Sequence, residues 1–329
     1  MSKRTIDDYH KLSGKYLDNS RGFERRFVIT GASGWLGRAT LELLKNVSRE
    51  FPNNITCFGS SKKVIQLLDG TKVSQFKLSD LESYPKQEAD YLINFAFLTK
   101  EKSIKLTKKE FLETNRFLSS FISQQALRIE VPNILTMSSG GVYSQDKDLV
   151  KSINEDLYGF LKLEEESLFL GLSNLGRKVI IPRLFNVSGP HVYKHDLYML
   201  PSLVYQAIKG DEMIIHSQTK VYRSFVSLAE LMSVVLGSFE GLEMGEGLVF
   251  DASGTEVVEI GELALKVKQL LLSEAEIIRG ELNEEADNRY LGSTKEYMDL
   301  IRELKISSNS LKDQILCTAL YLKMIIDEE

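Results

Sequence analysis

The sequence is poor in the residue types that form disulfides or bind metals. Its 329 residues include two cysteines and four histidines. Cys57 and Cys317 lie in apolar segments far apart in the chain, which favours two small buried thiols in a reducing compartment over a disulfide. His191 and His195 are close in sequence but are interpreted as loop residues. Because no histidine pattern has metal-ligand spacing, no metal site is predicted.

The chain also lacks long apolar runs and an excess of basic residues. No stretch approaches the roughly 20 apolar residues of a membrane-spanning helix, and the first residues are charged, without the apolar core of a signal peptide. The net charge is −5, and no basic stripe indicates a nucleic-acid partner. We therefore expect a cytoplasmic protein that binds neither membrane nor nucleic acid, with residues 1–25 forming an N-terminal arm.

Strand-like apolar runs alternate with helical patterns through the first half of the chain. Such alternation predicts an α/β fold with a doubly wound parallel sheet. We expect residues 26–182 to form one domain around this sheet, and residues 183–329 to form mainly a smaller, mixed α/β domain from which strands could return to the sheet. The predicted strands are Phe27–Thr30, Ile55–Gly59, Lys72–Phe76, Tyr91–Ala96, Asn133–Met137 and Lys178–Pro182, and the predicted helices are Trp35–Val47, Lys62–Leu68, Lys108–Arg128 and Glu155–Leu172.

A glycine triplet joins the first predicted strand to the first predicted helix. Gly31, Gly34 and Gly37 follow the apolar run at the spacing G-x-x-G-x-x-G. A strand that turns tightly into a helix points backbone N–H groups at a ligand, and the helix dipole favours a phosphate there. Gly31 would allow the turn, Gly34 the close approach of a pyrophosphate, and Gly37 the packing of helix on strand. The first domain is therefore predicted to bind a dinucleotide, and the smaller domain to bind the substrate.

Tyr158 and Lys162 form the pattern Y-x-x-x-K near the start of the fourth predicted helix. This spacing puts both side chains on one helix face. A cation close to a tyrosine favours the phenolate and lowers the pKa from its ordinary value of about 10. The same spacing at Tyr143–Lys147 and Tyr205–Lys209 is interpreted as two ordinary surface pairs. Only Tyr158 begins a helix between the fifth and sixth predicted strands, so it is the predicted proton-transfer residue.

Several motifs, in this order, resemble those of the extended short-chain dehydrogenases/reductases, the NAD-dependent epimerase/dehydratase group. The resemblance covers roughly residues 26–315 and implies a Rossmann-type sheet and a nucleotide-sugar substrate. One motif, Ser-Ser-Gly-Gly after the fifth strand, would by itself also fit a simple turn. The motifs are Thr30–Gly37, Asp80–Leu81, Asn94–Ala96, Asn115, Ser138–Tyr143, Tyr158–Lys162 and Arg183–Pro190.

The resemblance implies a role for individual residues. Ser139 would be the catalytic serine, Tyr158 the general acid/base, and Lys162 its electrostatic partner and a ligand of the nicotinamide ribose. Together with the glycine loop and the charge of the second strand end, it indicates these further cofactor-binding residues: Gly31, Ser33, Gly34, Trp35, Leu36, Arg38, Ser60, Ser61, Lys62, Asp80, Leu81, Ala96, Asn115 and Phe185. The residues expected at the nucleotide sugar are Ser139, Gly140, Asn186, Arg223 and Arg289.

The second predicted strand ends without the carboxylate that NAD-preferring members of this family usually carry. The chain there reads Phe-Gly-Ser-Ser-Lys-Lys over residues 58–63, and Arg38 follows the glycine triplet. Hydroxyl, ammonium and guanidinium groups can bind a 2′-phosphate, which a carboxylate would repel. We therefore expect NADP(H) to be favoured over NAD(H). The alternative is that Lys62 and Lys63 only solvate a helix start.

Gly140 and Gly141 offer no side chain where dehydratases of the resembling family carry an Asp-Glu pair and some epimerases a cysteine. Hydride transfer with the Ser-Tyr-Lys set is the chemistry left. The lead hypothesis is an NADPH-dependent reductase of a nucleotide-activated 4-keto-6-deoxy sugar. The alternatives are a nucleotide-sugar C4 epimerase with tightly bound NAD(P) and a catalytically silent dinucleotide-binding sensor. The resemblance also implies a homodimer through Lys108–Arg128 and Glu155–Leu172, whose apolar residues could equally face the sheet.

Overall fold

The computed structural model describes residues 25–144 and 146–326, and the predicted N-terminal arm before Arg25 lies outside them. The described chain divides into two compact units. Within the described residues, the first unit contains 25–184 and 234–251, and the second contains 185–233 and 252–326.

The first unit alternates strands and helices and also takes one strand from later in the chain. Its elements are β1 (Phe27–Thr30), α1 (Trp35–Val47), β2 (Ile55–Gly59), β3 (Lys63–Gln66), β4 (Lys72–Lys77), β5 (Tyr91–Asn94), α2 (Lys108–Arg128), β6 (Asn133–Thr136), β7 (Ser138–Ser139), α3 (Leu157–Leu170), β8 (Lys178–Leu184) and β13 (Gly247–Ala252). Short 3-10 turns occur at Leu78–Ser83, Lys100–Lys105, Gly140–Val142 and Ser173–Leu175.

These strands form one sheet, nine-stranded within the described residues, in the order β13-β8-β6-β5-β1-β2-β4-β3, with β7 beside β8. The pairs from β8 through β6, β5, β1 and β2 to β4 are parallel. This arrangement confirms the predicted α/β fold with a Rossmann-type sheet. Because Thr30, Asn94 and Thr136 stand side by side in adjacent strands, the chain segments that leave β1, β5 and β6 all emerge at one edge.

The centre of the sheet is covered by a continuous apolar core, because β1, β5, β6 and β8 carry buried apolar residues on the side that the helices cover. Phe169 of α3 is fully buried there, and α2 contributes Ile122 and Ala126. The helices α2 and α3 also pack against each other. The strand residues of this core include Val28, Leu92, Ile134, Val179 and Ile181.

One predicted element is wrong. The segment Lys62–Leu68 is not a helix: Lys63–Gln66 is the strand β3, antiparallel to β4 at the end of the sheet. The turn Asp69–Gly70 joins the two strands, and Gly70 has φ +87°. An Asp-Gly turn between alternating apolar residues is a hairpin signal, and Val64 and Ile65 are β-branched residues that favour strands.

The second unit consists of short sheets and helices. Within it, α4 packs against α6 and α8, and β11 lies between β14 and β16. Its elements are β9 (Val187–Ser188), α4 (Met199–Lys209), β10 (Met213–Ile215), β11 (Thr219–Ser224), β12 (Val226–Ser227), α5 (Leu228–Gly241, which ends in the first unit), β14 (Val257–Glu259), α6 (Ile260–Leu271), β15 (Ile277–Arg279), β16 (Asn283–Arg289), α7 (Lys295–Glu303) and α8 (Leu311–Ile326).

Candidate active site

The glycine loop between β1 and α1 is shaped by contacts that admit no side chain. Gly31 has φ +71°, and a Cβ atom there would lie 2.7 Å from the carbonyl carbon of Phe95. A Cβ atom on Gly37 would lie 2.5 Å from the carbonyl oxygen of Ala32. Helix α1 begins after Gly34, with neither a side-chain cap nor an acidic residue in its first turn. A free helix N-terminus of this kind fits the pyrophosphate of a dinucleotide.

The end of β2 is filled by a side chain that the sequence analysis did not select. A Cβ atom on Gly59 would lie 2.5 Å from Nε2 of Gln75, which is fully buried. The Gln75 amide donates to the Ser61 carbonyl at 2.8 Å and accepts from the Ser33 N–H at 3.0 Å. Gln75 therefore fixes the segment after β2 to the glycine loop.

The other predicted cofactor residues of the first unit surround this edge of the sheet. Arg38 donates from Nε to the Ser33 carbonyl at 3.2 Å, while Ser60, Ser61 and Lys62 are exposed. Asn115 is fully buried and accepts from the Leu98 N–H at 2.7 Å, so it holds the loop after β5. The Ala96 N–H donates to the Asn94 side chain, Asp80 accepts from the Lys77 N–H, and Leu81 packs in the hydrophobic core.

Ser139 and Tyr158 lie close together because the backbone of the turn after Ser139 contacts the backbone at the start of α3. Ser139 ends β7, and its Oγ accepts from the Gly141 N–H at 3.1 Å. A Cβ atom on Gly159 would lie 2.0 Å from the carbonyl oxygen of Gly141, so α3 begins in direct contact with the serine turn. A Cβ atom on Gly141 would lie 3.2 Å from the Tyr158 ring. The Tyr158 hydroxyl hydrogen-bonds to Ser139.

The electrostatics of Tyr158 differ from the sequence-based expectation. Burial raises the pKa of Tyr158 to about 12, and the hydrogen bond with Ser139 acts in the opposite direction. Lys162 was expected to lower this pKa. Its ammonium instead donates to the Met137 carbonyl at 2.8 Å and to the Glu165 carboxylate at 2.7 Å. The Phe97 ring lies below it, with the centroid 3.7 Å from Nζ.

Glu165 is a second side chain that the sequence analysis missed. It is 2% exposed and accepts from Asn94 at 3.2 Å and from Ser119 at 3.3 Å, in addition to Lys162. Burial raises the pKa of Glu165, and the Lys162 ammonium counteracts that rise. The available signal is its spacing of three residues from Lys162, which puts two opposite charges on one helix face.

A separate buried network ties α3 to β8. Arg183 donates two parallel hydrogen bonds to Glu166, at 2.9 and 2.7 Å, and a third to the Tyr143 hydroxyl at 2.7 Å. Tyr143 in turn donates to Asp251 at 2.9 Å. Tyr143, which belongs to the alternative pattern Tyr143–Lys147, is thus held in place by Arg183 and Asp251. The tyrosine of the other alternative pattern, Tyr205, stacks on His195 at 3.9 Å in the second unit.

The remaining predicted residues gather within the second unit, around β11 and β16. Arg223 donates to the Asn288 side-chain oxygen at 2.8 Å, and its guanidinium lies 5.8 Å from the Tyr290 ring centroid. Phe185 packs on the same ring at 4.9 Å. Arg289 pairs with Asp287 and lies over the Tyr222 ring, and Asn186 donates to the Ser224 carbonyl.

The structure also shows the state of the two cysteines, the grouping of potential metal ligands and the length of the apolar helices. Cys57 and Cys317 are free and buried, as the sequence predicts, and burial raises the pKa of each thiol to about 12. Over residues 25–144 and 146–326, no three His, Cys, Asp or Glu side chains are grouped so that they could hold a metal ion. Within the same ranges, no helix is long and apolar enough to cross a membrane.

Comparison with known proteins decides the family. A model of the NAD dependent epimerase/dehydratase family matches residues 27–246. The chain belongs to this family. The match covers the strands of the large sheet from β1 to β8, the glycine loop and the Ser139–Tyr158–Lys162 set, so this epimerase/dehydratase chain is an enzyme of the extended short-chain dehydrogenase/reductase type.

Two relatives of this epimerase/dehydratase chain are named for reactions of UDP-sugars, and a third was solved with a nicotinamide nucleotide. It is 25% identical over 272 residues to the UDP-N-acetyl-alpha-D-glucosaminuronate decarboxylase of Bacillus cytotoxicus, covering 78% of this chain and 83% of the relative. The structure of the Methanobrevibacter ruminantium UDP-N-acetylglucosamine 4-epimerase, in complex with UDP-N-acetylmuramic acid, has a TM-score of 0.72 at 17% identity and covers 93% and 99% of the two chains. Bordetella bronchiseptica WbmF, in complex with NADH, has a TM-score of 0.73 at 15% identity, covering 95% of each chain.

Proposed function

We propose that the protein is an NADPH-dependent reductase of a nucleotide-activated 4-keto-6-deoxy sugar. The observation that carries this proposal is the half-buried Tyr158 phenol, hydrogen-bonded to Ser139 beside Gly140 and Gly141, which carry no side chain. Gly140 and Gly141 contribute no acid or base to the turn after Ser139 for elimination or for deprotonation next to a carbonyl. The set can orient a carbonyl and deliver one proton.

Each residue of the set has one task in this reaction. When bound, the nicotinamide nucleotide supplies the hydride. Ser139 donates a hydrogen bond to the substrate carbonyl oxygen and so orients it. Tyr158 transfers its hydroxyl proton to that oxygen as the carbonyl carbon is reduced, and the product is an alcohol. A phenol with a raised pKa is protonated at neutral pH, which suits a proton donor.

Preference for NADPH is the second part of the proposal. Ser60, Ser61 and Lys62 are exposed after β2, and Arg38 folds back onto the glycine loop beside them. No carboxylate follows β2 within residues 59–63. Hydroxyl and cationic side chains of this kind can hold a 2′-phosphate. NADPH is a reductant of the cytoplasm, where we place the reaction.

The second unit is proposed to bind the nucleotide diphosphate. Among the side chains that the structure describes, the acceptors of Arg223 are neutral oxygens of Tyr222 and Asn288, and we infer that its positive charge is available to an anion. Guanidinium forks match phosphate oxygens. Asn186 and Arg289 would contribute to the same task, and Phe185 to the cofactor.

A nucleotide-sugar C4 epimerase is the second candidate function, and a uronate decarboxylase the third. The curated relative at 25% identity is a decarboxylase of a nucleotide-linked uronic acid. Oxidation of such a sugar at C4 would make its carboxylate a β-keto acid, which loses CO₂ readily. Both reactions would use Ser139 and Tyr158, but both need the tyrosine to accept a proton before donating one.

The test is product analysis on a panel of UDP- and dTDP-linked sugars: 4-keto-6-deoxy sugars, hexoses, N-acetylhexosamines and uronic acids. We expect NADPH oxidation with the keto sugars alone. Tyr158→Phe should lose at least about 100-fold in turnover while retaining NADPH binding, and Tyr205→Phe, in the same sequence pattern, should lose neither.

Other outcomes would contradict the proposed reductase function and favour a different one. Near-normal turnover by Tyr158→Phe contradicts the assignment of the proton donor. Product formation without added NADPH indicates the epimerase, and CO₂ release from a uronic acid indicates the decarboxylase. Binding of NADPH with no turnover on the whole panel would favour the catalytically silent alternative.

A further inference from the structure

The turn that follows Ser139 contributes little to its own rigidity. This serine turn, Gly140–Val142, is a 3-10 turn that begins with two glycines, and glycine adopts more backbone conformations than any other residue. Gly140 and Gly141 also have no side chain that could anchor the turn. The position of the Ser139 hydroxyl therefore depends on how the residues on each side of the turn are held.

The amino-terminal side of the serine turn is held by Glu166 of α3. Ser138 donates from its hydroxyl to the Glu166 carboxylate, and the same carboxylate accepts two hydrogen bonds from Arg183. Ser138 and Arg183 also stand opposite each other in the parallel pair of β7 and β8. These three side chains join the start of the turn to one helix and one strand.

The carboxy-terminal side is held by Tyr143. Its hydroxyl accepts from Arg183 at 2.7 Å and donates to Asp251 at 2.9 Å. Asp251 is 7% exposed and belongs to β13, 108 residues further along the chain. Burial raises the pKa of Tyr143, so the hydroxyl keeps the proton that it donates to the carboxylate.

Arg183 connects the two sides of the serine turn. It reaches Glu166 through Nε and Nη2, and Tyr143 through Nη1. Because a guanidinium is planar and rigid, these contacts fix the separation of the Glu166 carboxylate from the Tyr143 hydroxyl. Asp251 holds the same hydroxyl from β13, so Tyr143 is fixed by two neighbouring strands of the sheet.

We propose that Tyr143 and Asp251 are positioning residues that hold the serine turn in the shape in which the Ser139 hydroxyl hydrogen-bonds to Tyr158. The inference rests on the proposed function, in which Ser139 orients the substrate carbonyl and Tyr158 donates the proton. Tyr143 acts only through the turn and exchanges no proton with the substrate.

Packing against α3 is the alternative explanation for the shape of the turn. Val142 is fully buried, and the Gly141 carbonyl lies against Gly159. Neither contact involves the Tyr143 hydroxyl, so both persist when that one oxygen atom is removed. The two explanations therefore predict different results for Tyr143→Phe.

The test measures the hydrogen bond between Ser139 and Tyr158 by NMR, in protein labelled with carbon-13 at tyrosine Cζ, at neutral pH and without ligands. The Tyr158 signal is assigned by its loss in Tyr158→Phe, and Ser139→Ala gives its position when the hydrogen bond is absent. In Tyr143→Phe we expect the Tyr158 signal to move most of the way to the Ser139→Ala position, because the turn has lost its carboxy-terminal anchor.

Tyr84→Phe is the matched control. Tyr84 is a half-buried tyrosine of the same unit whose hydroxyl donates to the Glu88 carbonyl at 3.0 Å, and its loss should leave the Tyr158 signal unchanged. Asp251→Asn retains an acceptor oxygen and should keep the signal in place, whereas Asp251→Ala should reproduce the shift of Tyr143→Phe. If Tyr143→Phe does not fold, the two Asp251 variants decide the question.

Kinetics provide a second measurement once the nucleotide-sugar panel has identified a keto sugar that is reduced. Tyr143→Phe should lower kcat by about tenfold and leave KM nearly unchanged, because the displaced Ser139 hydroxyl would bind the carbonyl oxygen less well in the transition state. Turnover is counted per NADPH-binding site, so that unfolded protein does not contribute.

Three results would overturn the proposal: an unchanged Tyr158 signal in folded Tyr143→Phe, the same shift in Tyr84→Phe, or a full shift in Asp251→Asn, which would point to the charge of Asp251 and not to its hydrogen bond. The NMR measurement uses neither NADPH nor sugar, so failure of the reductase assignment does not affect it. A shifted signal without reductase activity would establish the positioning role and reject the proposed reaction.

Discussion

At the scale of single residues, the proposed preference for NADPH rests on side chains that follow β2. A side chain at residue 59 would have to displace the Gln75 amide, which occupies that space. The next residues present two hydroxyls and two ammonium groups to solvent. A charge-assisted hydrogen bond to a phosphate contributes about 1.5–3 kcal/mol, so one lysine can decide between NADPH and NADH.

Lys62→Glu is predicted to weaken NADPH binding by about tenfold or more, because one favourable contact of roughly 1.5 kcal/mol is replaced by a repulsive one. NADH binding should change little or improve. Fluorescence titration with both nucleotides measures the difference. Lys72→Glu makes the same charge change at the amino end of β4, distant from Gly59 in the strand register, and should leave both affinities unchanged. Equal NADPH affinity in Lys62→Glu and the unaltered protein contradicts the assignment.

The residue scale also separates what sequence can reveal from what it cannot. Tyr158 and Lys162 were selected by spacing and by position between strands, and Ser139 by the family resemblance; the structure places Ser139 at the end of β7 and the other two on α3 beside it. Glu165 and Gln75 were missed because each acts through partners distant in sequence: Asn94 is 71 residues from Glu165, and Ser33 is 42 from Gln75. Apart from the three-residue spacing of Lys162 and Glu165, no local pattern encodes such contacts.

At the scale of elements, the start of α3 is fixed by backbone packing. The Gly141 carbonyl lies where a Cβ atom of residue 159 would stand, at 2.0 Å. The distance between Ser139 and Tyr158 therefore follows from how closely the helix approaches the turn. Any side chain at position 159 must push the two apart.

Gly159→Ala is predicted to destabilise the fold by about 1–3 kcal/mol, the usual range for overpacking, and to reduce turnover further by separating Ser139 from Tyr158. Denaturant unfolding and steady-state kinetics measure the two effects. Gly171→Ala, at the other end of α3, places its Cβ no closer than 3.3 Å to another atom and serves as the control. Equal stability of the two variants would show that the close approach has no energetic weight.

Helix boundaries were predicted well where apolar residues recur at a clear helical spacing or where a capping residue is present. Lys108–Arg128 was predicted to the residue, and it begins at a capping box formed by Thr107 and Glu110. The segment Lys62–Leu68 was misassigned because its apolar residues satisfy both periods over so short a run. The segment forms a strand because the Asp69–Gly70 turn allows it to pair antiparallel with β4.

At the scale of the whole molecule, α2 and α3 leave an apolar surface exposed. Phe117 is 62% exposed and stacks on Phe121 at 5.8 Å. Leu168 and Leu170 of α3 are also exposed. The spacing of apolar residues along these helices could not show from sequence which of them face the core and which face a subunit interface, because the residues at both places are apolar. We propose that this surface joins two copies in a homodimer through a bundle of four helices.

Phe117→Arg is predicted to convert the dimer to a monomer at micromolar concentration, because a charge at the centre of an apolar interface must lose its hydration. Light scattering after size-exclusion chromatography measures the mass. Val64→Arg, at a similarly exposed apolar residue on β3 (59%), should leave the mass unchanged. A monomeric unaltered protein would exclude the dimer, and a dimeric Phe117→Arg would exclude this surface.

The contact between Gly59 and Gln75 makes the two positions interdependent in evolution and in redesign. A carboxylate introduced at residue 59 alone would displace the Gln75 amide and break its hydrogen bonds to Ser33 and Ser61. Those bonds connect the phosphate loop to the segment beside it, so the single change would damage the site it was meant to retune. A redesign that places a carboxylate at residue 59 must therefore change residue 75 as well, so that the two connected segments keep their geometry.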